Sequence, residues 1–578
     1  MSLTSALSIG RGALTASQAA IQIASNNLAN AATPGYSRQS ARLSPLAGQS
    51  FGTTAIGGGV RFGGVQREIN EAIQTRLLAA RSGEAAASTS YDIYAQLENV
   101  LGELTGNDLS SQLNGFFNTW SERANLTDNA SVVLQQGDQL AAYIQRLRTN
   151  VAETQTQIDS QISTTVNVAG DLLADVARLN IEIVTAEGGI GTAPGLRDQR
   201  DIVLGELADL MDINTVEQPD GQVDVLVGST PIVLGSTIRE LDTIRGSDDS
   251  GPTIRIVAGT DQREINIAEG QLGALIAARR EGVDETLNTI DTLSQQLIFQ
   301  INRLHSTGTN LAGLTRATAQ LQTPVADRSL ALNDPANVAL RELPFEPVNG
   351  GFMLNVRRSG TDVVESVRID IDLDGIDATG ARTFNDDTSL EDIVAAINAV
   401  EGVTAGFTPD GRLDVNATSG FEFSFSDDSS NVLAVLGVNA YFTGTDGADI
   451  AVREDLLDNP SLLMTGRLDE NGVLIENGTA LAIADLQDSP LAELNGQSFR
   501  SSWQLAVQEI GLRSQSARVE AESTALLREG VEAQRAATSG VSIDEESINL
   551  LTFQRQFQGA ARVITTADEM LQTLLSLL

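Results

Sequence analysis

The strongest constraint on this chain lies at its two ends. Near the C-terminus, Leu550, Phe553, Phe557, Ala560, Ile564, Ala567, Leu571, Leu574 and Leu578 recur at alternating spacings of three and four. Near the N-terminus, Leu7, Leu14, Ile21 and Leu28 fall seven apart, with Leu3, Gly10, Ser17, Ala24 and Ala31 forming a second seam. Both are coiled-coil patterns rather than ordinary surface-helix stripes. An isolated helix is marginal in water and takes most of its stability from the face it packs. Each end therefore needs a partner, and the ends are expected to order only when packed. Pattern alone leaves two partners open: neighbouring subunits, or the other end of the same chain in a helix pair closing one domain.

Composition narrows the chemistry. The 578 residues suffice for three or four domains. No apolar run approaches the roughly 20 residues of a membrane span, and Ser, Thr, Gly and Gln interrupt Met1 to Ala24, unlike the core of a secretory signal. Cysteine is absent, which excludes disulfides and thiolate chemistry. All 37 basic residues are arginine, so Schiff-base chemistry and a phosphate-loop lysine are excluded as well. A net charge of −39 argues against nucleic acid or an anionic membrane as partner. That charge is uneven: residues 1–66 hold four arginines and no acid, whereas residues 401–500 hold four arginines and 17 acids, 4 − 17 = −13. Weakly basic ends and a repelling, solvated middle suit a subunit whose termini lie inside an assembly.

Along the chain, a helix is predicted from about Ser5 to Ala31, stopping at Thr33-Pro34-Gly35-Tyr36, which suits a type II turn. An extended or hairpin segment to Gly64 follows, then helix from Glu68 to about Asn125. A second long helix carries Leu140, Ile144, Leu147, Val151, Thr154, Ile158, Ile162, Thr165, Ala169, Leu172, Val176, Leu179 and Ile183. Asp201 to Met211 reads as a short helix. Thr215 to Ile267 reads as strands, with Pro219-Asp220-Gly221 as a hairpin turn. Helix returns from Gln271 to His305, strands fill Pro324 to about Thr445 around a short helix at Leu390 to Val400, and helix resumes from Trp503 to Ala537. Gly540 breaks it, and Ser542 with Glu545 is expected to form a capping box for the last helix.

The predicted fold class is α+β and multidomain. The N- and C-terminal helices pair as a coiled coil in a terminal domain (1–38 with 540–578), beside a mainly helical, rod-like bundle (39–200, 270–324 and 446–539). The β-rich insertions are 201–269 and an outer domain at 325–445.

Candidate chemistry is thin. Asp370, Asp372, Asp374 and Gly375 open like a calcium loop, but Ala381 stands where the bidentate glutamate belongs, so a solvated strand face ending in a turn is the expectation. Gly10-Arg11-Gly12 and Gly57 to Gly64 lack the setting of a phosphate cradle. His305 is expected to meet carbonyls at the end of its helix rather than to act as a base. No catalytic, cofactor-binding or metal-binding residue is nominated. Leu7, Leu14, Ile21, Leu28, Leu550, Phe553, Phe557, Ile564, Leu571 and Leu574 are the candidate assembly residues.

Two segments carry a resemblance. NNLANAATPGYSRQ (Asn26 to Gln39) resembles the N-terminal signature of bacterial flagellar axial proteins, the rod, hook and hook-associated components. SGVSIDEESINLLTFQRQFQGAARVITTADEMLQTLL (Ser539 to Leu575) resembles their C-terminal signature. GVRFGGVQREINEAIQTRL (Gly59 to Leu77), ARLNIEI (Ala177 to Ile183), LRDQRDIVLGELADLMDI (Leu196 to Ile213) and FSFSDDSSNVLAVLGVNAYFTG (Phe423 to Gly444) are similar to hook-associated members rather than rod or hook proteins. The resemblance covers roughly residues 1–310 and 420–578.

It implies a non-enzymatic structural subunit between hook and filament, with terminal helices lining an inner tube and β domains facing outward. Implied partners are the hook protein, other hook-associated proteins of the junction, copies of itself in a ring-like zone, and an export chaperone on the C-terminal segment. No nucleic acid or membrane is implied. The location would be extracellular, reached by flagellar type III export without a cleaved signal. The alternatives are a hook or rod subunit, a flagellum-borne enzyme with room only in residues 320–420, or an adhesin using residues 325–445.

Overall fold

A computed structural model of the chain describes residues 3–576 apart from 52–53, 103–105, 107, 126–129, 189–190, 249–250, 362, 377–378 and 470–471. Leu578 of the C-terminal seam lies outside the described residues. The main elements begin with helix α1 (Leu3–Ala29), a hairpin of β1 (Gln39–Pro45) and β2 (Val60–Arg67), and helices α2 (Glu71–Leu101), α3 (Leu109–Asn125), α4 (Ala130–Glu187) and α5 (Pro194–Leu210). Strands β3 (Ile213–Glu217), β4 (Val223–Val227), β5 (Thr230–Leu234) and β6 (Thr237–Ile238) form one antiparallel sheet in sequence order. Then come β7 (Leu241–Asp248), β8 (Gly251–Ala258), α6 (Gly270–Ala278) and α7 (Glu285–Ser306). After several short strands, α8 (Phe499–Ser539) and α9 (Ile543–Ser576) close the chain.

The chain divides into two compact units. The first holds Met1–Tyr94, Gln157–Arg279 and Ser514–Leu578; the second holds Ala95–Thr156 and Arg280–Arg513. In the first, polar side chains of α5 fasten its neighbours. Arg200, almost wholly buried, donates to Asn180 Oδ1 of α4 at 2.9 Å and to the Gly221 carbonyl at 2.7 Å. Asn180 in turn donates to the carbonyls of Val223 and Gly235 and accepts from the Val223 amide, which pins the hairpin built on Pro219-Asp220-Gly221 against α4. Apart from the half-buried Gly235 carbonyl these groups are buried, and leaving a buried one unpaired would cost about 1–3 kcal/mol.

The second unit is built around an aromatic cluster. Phe116, Phe117 and Trp120 of α3 meet Tyr441, Phe442 and Phe499 with ring centroids 5.5 to 5.9 Å apart. Two small antiparallel sheets lie in this unit. In one, Gly350–Arg358 runs between Val364–Ile371 and Phe421–Ser426; in the other, Arg412–Ala417 runs between Arg316–Gln322 and Val403–Phe407. The helix Leu390–Asn398 starts with a full capping box between Ser389 and Asp392.

Several local expectations are corrected. The helix expected over Glu68 to Asn125 is two helices, because Gly102 takes φ +59 and ends α2 in the left-handed region that favours glycine. The run from Gln271 to His305 is interrupted by a π-turn at Arg279–Asp284. Along α4 the expected seam is buried except at Leu172, where Leu173 takes the inward position. A helix of 3.6 residues per turn drifts against a seven-residue repeat, which accounts for the shift.

His305 is corrected too. It does not cap its own helix. Fully buried, it sits 2.8 Å by Nδ1 from the Asn439 carbonyl, and its Nε2 accepts from the Met464 amide at 3.0 Å. That requires the neutral ring with the proton on Nδ1. Burial, and then the charge of Arg453, press its pKa down to about 3 from an ordinary 6.5. The unfolded chain therefore binds the proton more readily between those values. The stability His305 contributes is complete above pH 6.5 and falls by about 1.4 kcal/mol per unit as pH drops toward 3. Chemical denaturation of the wild type and His305→Asn at pH 7 and pH 5 should show the wild type losing its relative advantage at the lower pH. An advantage unchanged with pH would refute this.

Candidate assembly interface

Helices α1 and α9 lie against one another. A Cβ at Gly10 would stand 2.8 Å from Ile564 Cγ1, and at the other end Asn27 Nδ2 donates to Glu546 Oε2 at 3.1 Å. These two marks run in opposite directions along the two sequences, so the pair is antiparallel. On α1 the buried positions are Gly10, Ala16, Ser17, Ala20, Ile23, Ala24 and Asn27. Gly10, Ser17 and Ala24 are seven apart, with Ala20 and Asn27 filling the positions three residues after Ser17 and Ala24. Small side chains at these positions let two helix backbones approach closely. At Gly10 an added Cβ would crowd Ile564, so bulk is not tolerated at that position.

The larger residues nominated from sequence lie at the edges of this contact. Leu7, Leu14 and Ile21 are half-buried, and Leu28 is 37% exposed. On α9, Ala560 and Ala567 are buried; Leu550, Phe553, Phe557, Ile564 and Leu571 are half-buried, and Leu574 is 51% exposed. The same helix leaves Ile548, Leu551, Val563, Met570 and Leu575 exposed.

A polar clamp that the sequence reading missed closes the base of the pair. Asn27 has no exposed surface, and all four of its hydrogen-bonding positions are used. Its Oδ1 accepts from the Gln39 amide at 3.0 Å and the Tyr36 hydroxyl at 2.8 Å; its Nδ2 donates to the Gln39 carbonyl at 2.9 Å and to Glu546. Glu546, 3% exposed, also accepts from Arg38 Nε at 2.9 Å and Nη2 at 2.8 Å. Burial, followed by the charges of Asp198 and Glu546, pushes the Tyr36 hydroxyl up to about 12, so it stays a donor. Arg38 further reaches Glu545 at 2.9 Å, and its amide donates to the Ser539 carbonyl at 2.8 Å. The expected capping box is therefore half-formed: Ser542 Oγ accepts from the Glu545 amide at 3.4 Å, while the Glu545 carboxylate goes to Arg38.

The turn before the clamp also rests on α5. Gly35 takes φ +78, and a Cβ there would meet the Ile202 side chain at 2.6 Å. The Ser37 amide donates to Asp198 Oδ2 at 3.3 Å, and Arg67 of β2 pairs with both Asp198 and Asp201. Residues Gly35 to Gln39 thus tie the helix pair to the helix carrying Asp198, Arg200 and Asp201. Away from this region, the carboxylates of Asp372, Asp374 and Asp387 come within 4.8 Å of one another. Asp374 accepts from the Ile376 amide and Asp387 from the Gly375 amide, the pattern of a turn after the strand ending at Ile371.

Known proteins match the chain at both ends and in between. Residues 7–36 fit the model for flagella basal body rod protein, and residues 532–577 the model for flagellar basal body rod FlgEFG protein C-terminal. Residues 94–319 fit the flagellar hook-associated protein FlgK helical domain. Flagellar hook-associated protein 1 of Escherichia coli K12 is 25% identical over 100% of both chains, and that of Salmonella typhimurium LT2 is 26% identical over 100% of both. This chain belongs to the flagellar hook-associated protein 1 family. Hook-associated protein 1 of Bacillus subtilis 168 is 24% identical over 99% of this chain and 97% of its own. A solved structure, the flagellar hook junction protein FlgK of Burkholderia pseudomallei, covers 81% of this chain and 100% of its own at 15% identity and TM-score 0.47. As a member of the hook-associated protein 1 family, the chain is a structural component of the bacterial flagellum.

The close approach at Gly10 gives a direct test. Gly10→Val should destabilise the helix pair by about 1–3 kcal/mol through overpacking against Ile564. Adding Ile564→Ala should recover part of that loss in thermal melts of the full chain. No recovery would mean the two positions do not share one contact.

Proposed function

We propose that this chain is the adaptor that joins the flagellar hook to the filament, without catalytic activity of its own. The reading is carried by the exposed apolar residues of α9, from Ile548 and Leu551 through Val563, Met570 and Leu575, on a helix already paired with α1. Exposed apolar side chains in such number along one helix mark a surface built to be covered. Supporting it are the full-length similarity to proteins named flagellar hook-associated protein 1 and the acid-free N-terminal 66 residues, which remove like-charge repulsion from an inner position.

In this reading α1 and α9 pair as a coiled coil and line the inner tube. Leu7, Leu14, Ile21, Leu28, Leu550, Phe553, Phe557, Ile564, Leu571 and Leu574 supply contacts to neighbouring subunits. The partners are the hook protein, later hook-associated proteins and further copies in a ring-like zone. The β-rich segments 201–269 and 325–445 face outward. The chain reaches this extracellular position by type III export, with a chaperone on its C-terminal segment beforehand.

Electron microscopy of purified hooks incubated with labelled full-length chain tests the placement. Label is expected at the distal tip alone; label along the shaft would point instead to a hook or rod subunit. Ile564→Glu and Leu571→Glu should each abolish tip labelling, since a buried unpaired charge costs several kcal/mol. The aromatic cluster around Trp120 should melt as in the unmodified chain.

A further inference from the structure

The first unit carries a groove that its own side chains leave unfilled. It has a volume of about 610 Å³ and runs between α2, α6 and α8. Its walls include Ala80, Gly83 and Ala87 of α2, Ala274 of α6 and Val531 of α8. Ala80, Gly83 and Ala87 repeat at three and four, the spacing of holes that receive side chains from a packed helix. A Cβ added at Gly83 would meet nothing within 4 Å, so the space is open rather than occupied by a neighbouring chain segment.

The same unit displays matching knobs. On α8, Val519 is 54% exposed and Leu526 is 70% exposed, seven residues and therefore about 10 Å apart. Ala80 and Ala87 span the same interval. Leu527 lines the groove, and successive residues of a helix turn by about 100°, so Leu526 faces away from its own groove. One chain cannot fill its groove with its own knobs.

Charges match in the same sense. The groove presents Arg76, Glu269 and Glu520. The knob face presents Arg518 beside Val519, and Glu522 and Glu529 three residues after each knob. Arg76, Glu522 and Glu529 have no ion-pair partner among the described residues.

We propose that Val519 and Leu526 of one copy enter the Ala80–Gly83–Ala87 groove of a second copy, with Glu529 answering Arg76 and Arg518 answering Glu269 and Glu520. Knob and groove are different surfaces, so the contact is head-to-tail and propagates around a ring. The inference rests on the junction reading, which supplies the neighbouring copies.

The test exploits a chain without cysteine. A Gly83→Cys/Leu526→Cys variant is assembled on purified hooks and treated with oxidant or, in parallel, a short bifunctional thiol linker. Denaturing gels should show a ladder of covalent oligomers, with dimers at most from either single-cysteine variant. Gly83→Trp, which fills the open space, should lower tip occupancy at least tenfold while the free chain keeps its melting temperature. Occupied tips with only monomer on the gel, and wild-type assembly by Gly83→Trp, would overturn the groove contact and leave the junction reading standing. Bare tips even with the unmodified chain would overturn the junction reading and this inference together.

Discussion

Everything about the terminal pair depends on one buried contact, the Asn27 amide against the Glu546 carboxylate, between residues 519 positions apart. A carboxylate out of water is stable only when its lone pairs are answered, and losing one partner of a buried ionic group costs about 3–5 kcal/mol. Glu546 is answered by Arg38 and Asn27, and Asn27 is itself saturated by Tyr36 and Gln39. The apolar part of the interface sets Gly10 against Ile564 and buries small residues such as Ala20, Ala24, Ala560 and Ala567, which pack closely but slide easily; the clamp fixes their register.

That division of labour explains the surface. Because the centre of the pair is filled by small residues, the large apolar side chains of both helices sit at its edges or outside it. An intramolecular pair built from Leu and Phe would have consumed them. Here Leu574, Met570 and Val563 stay available to something else. The clamp also explains how the ends and the body behave as one unit. Residues Gly35 to Gln39 touch Asn27, Glu546, Asp198 and Ile202 within five positions, so the helix pair cannot turn freely against α5.

Much of this was legible in the sequence, for a definable reason. Elements announced by periodicity or by turn chemistry were found where expected: α1, α4, the Pro219-Asp220-Gly221 hairpin, the helix capped by Ser389, and α9. The clamp was not, because four side chains from distant segments leave no repeat to detect. Two signals existed. Asn27 and Glu546 are polar residues on otherwise apolar or small-residue seams, the pattern by which paired helices set register. Arg38 also stands in a segment with no acid of its own, so its partner had to come from elsewhere. The seam from Leu7 to Leu28 lies at the edges of the pair, while its companion seam of Gly10, Ser17 and Ala24, also visible in the sequence, is buried. His305 was misplaced for a similar reason: its partners, Asn439 and Met464, lie more than a hundred residues away.

The measurement that bears most directly on the clamp is a double-mutant cycle with Asn27→Ala and Glu546→Gln, read by hydrogen exchange of α1 and α9 amides in the full chain. Each single substitution should strip protection from both helices, including the one left unchanged, and the pair together should cost clearly less than the sum. Additive losses, each confined to the substituted helix, would contradict the account.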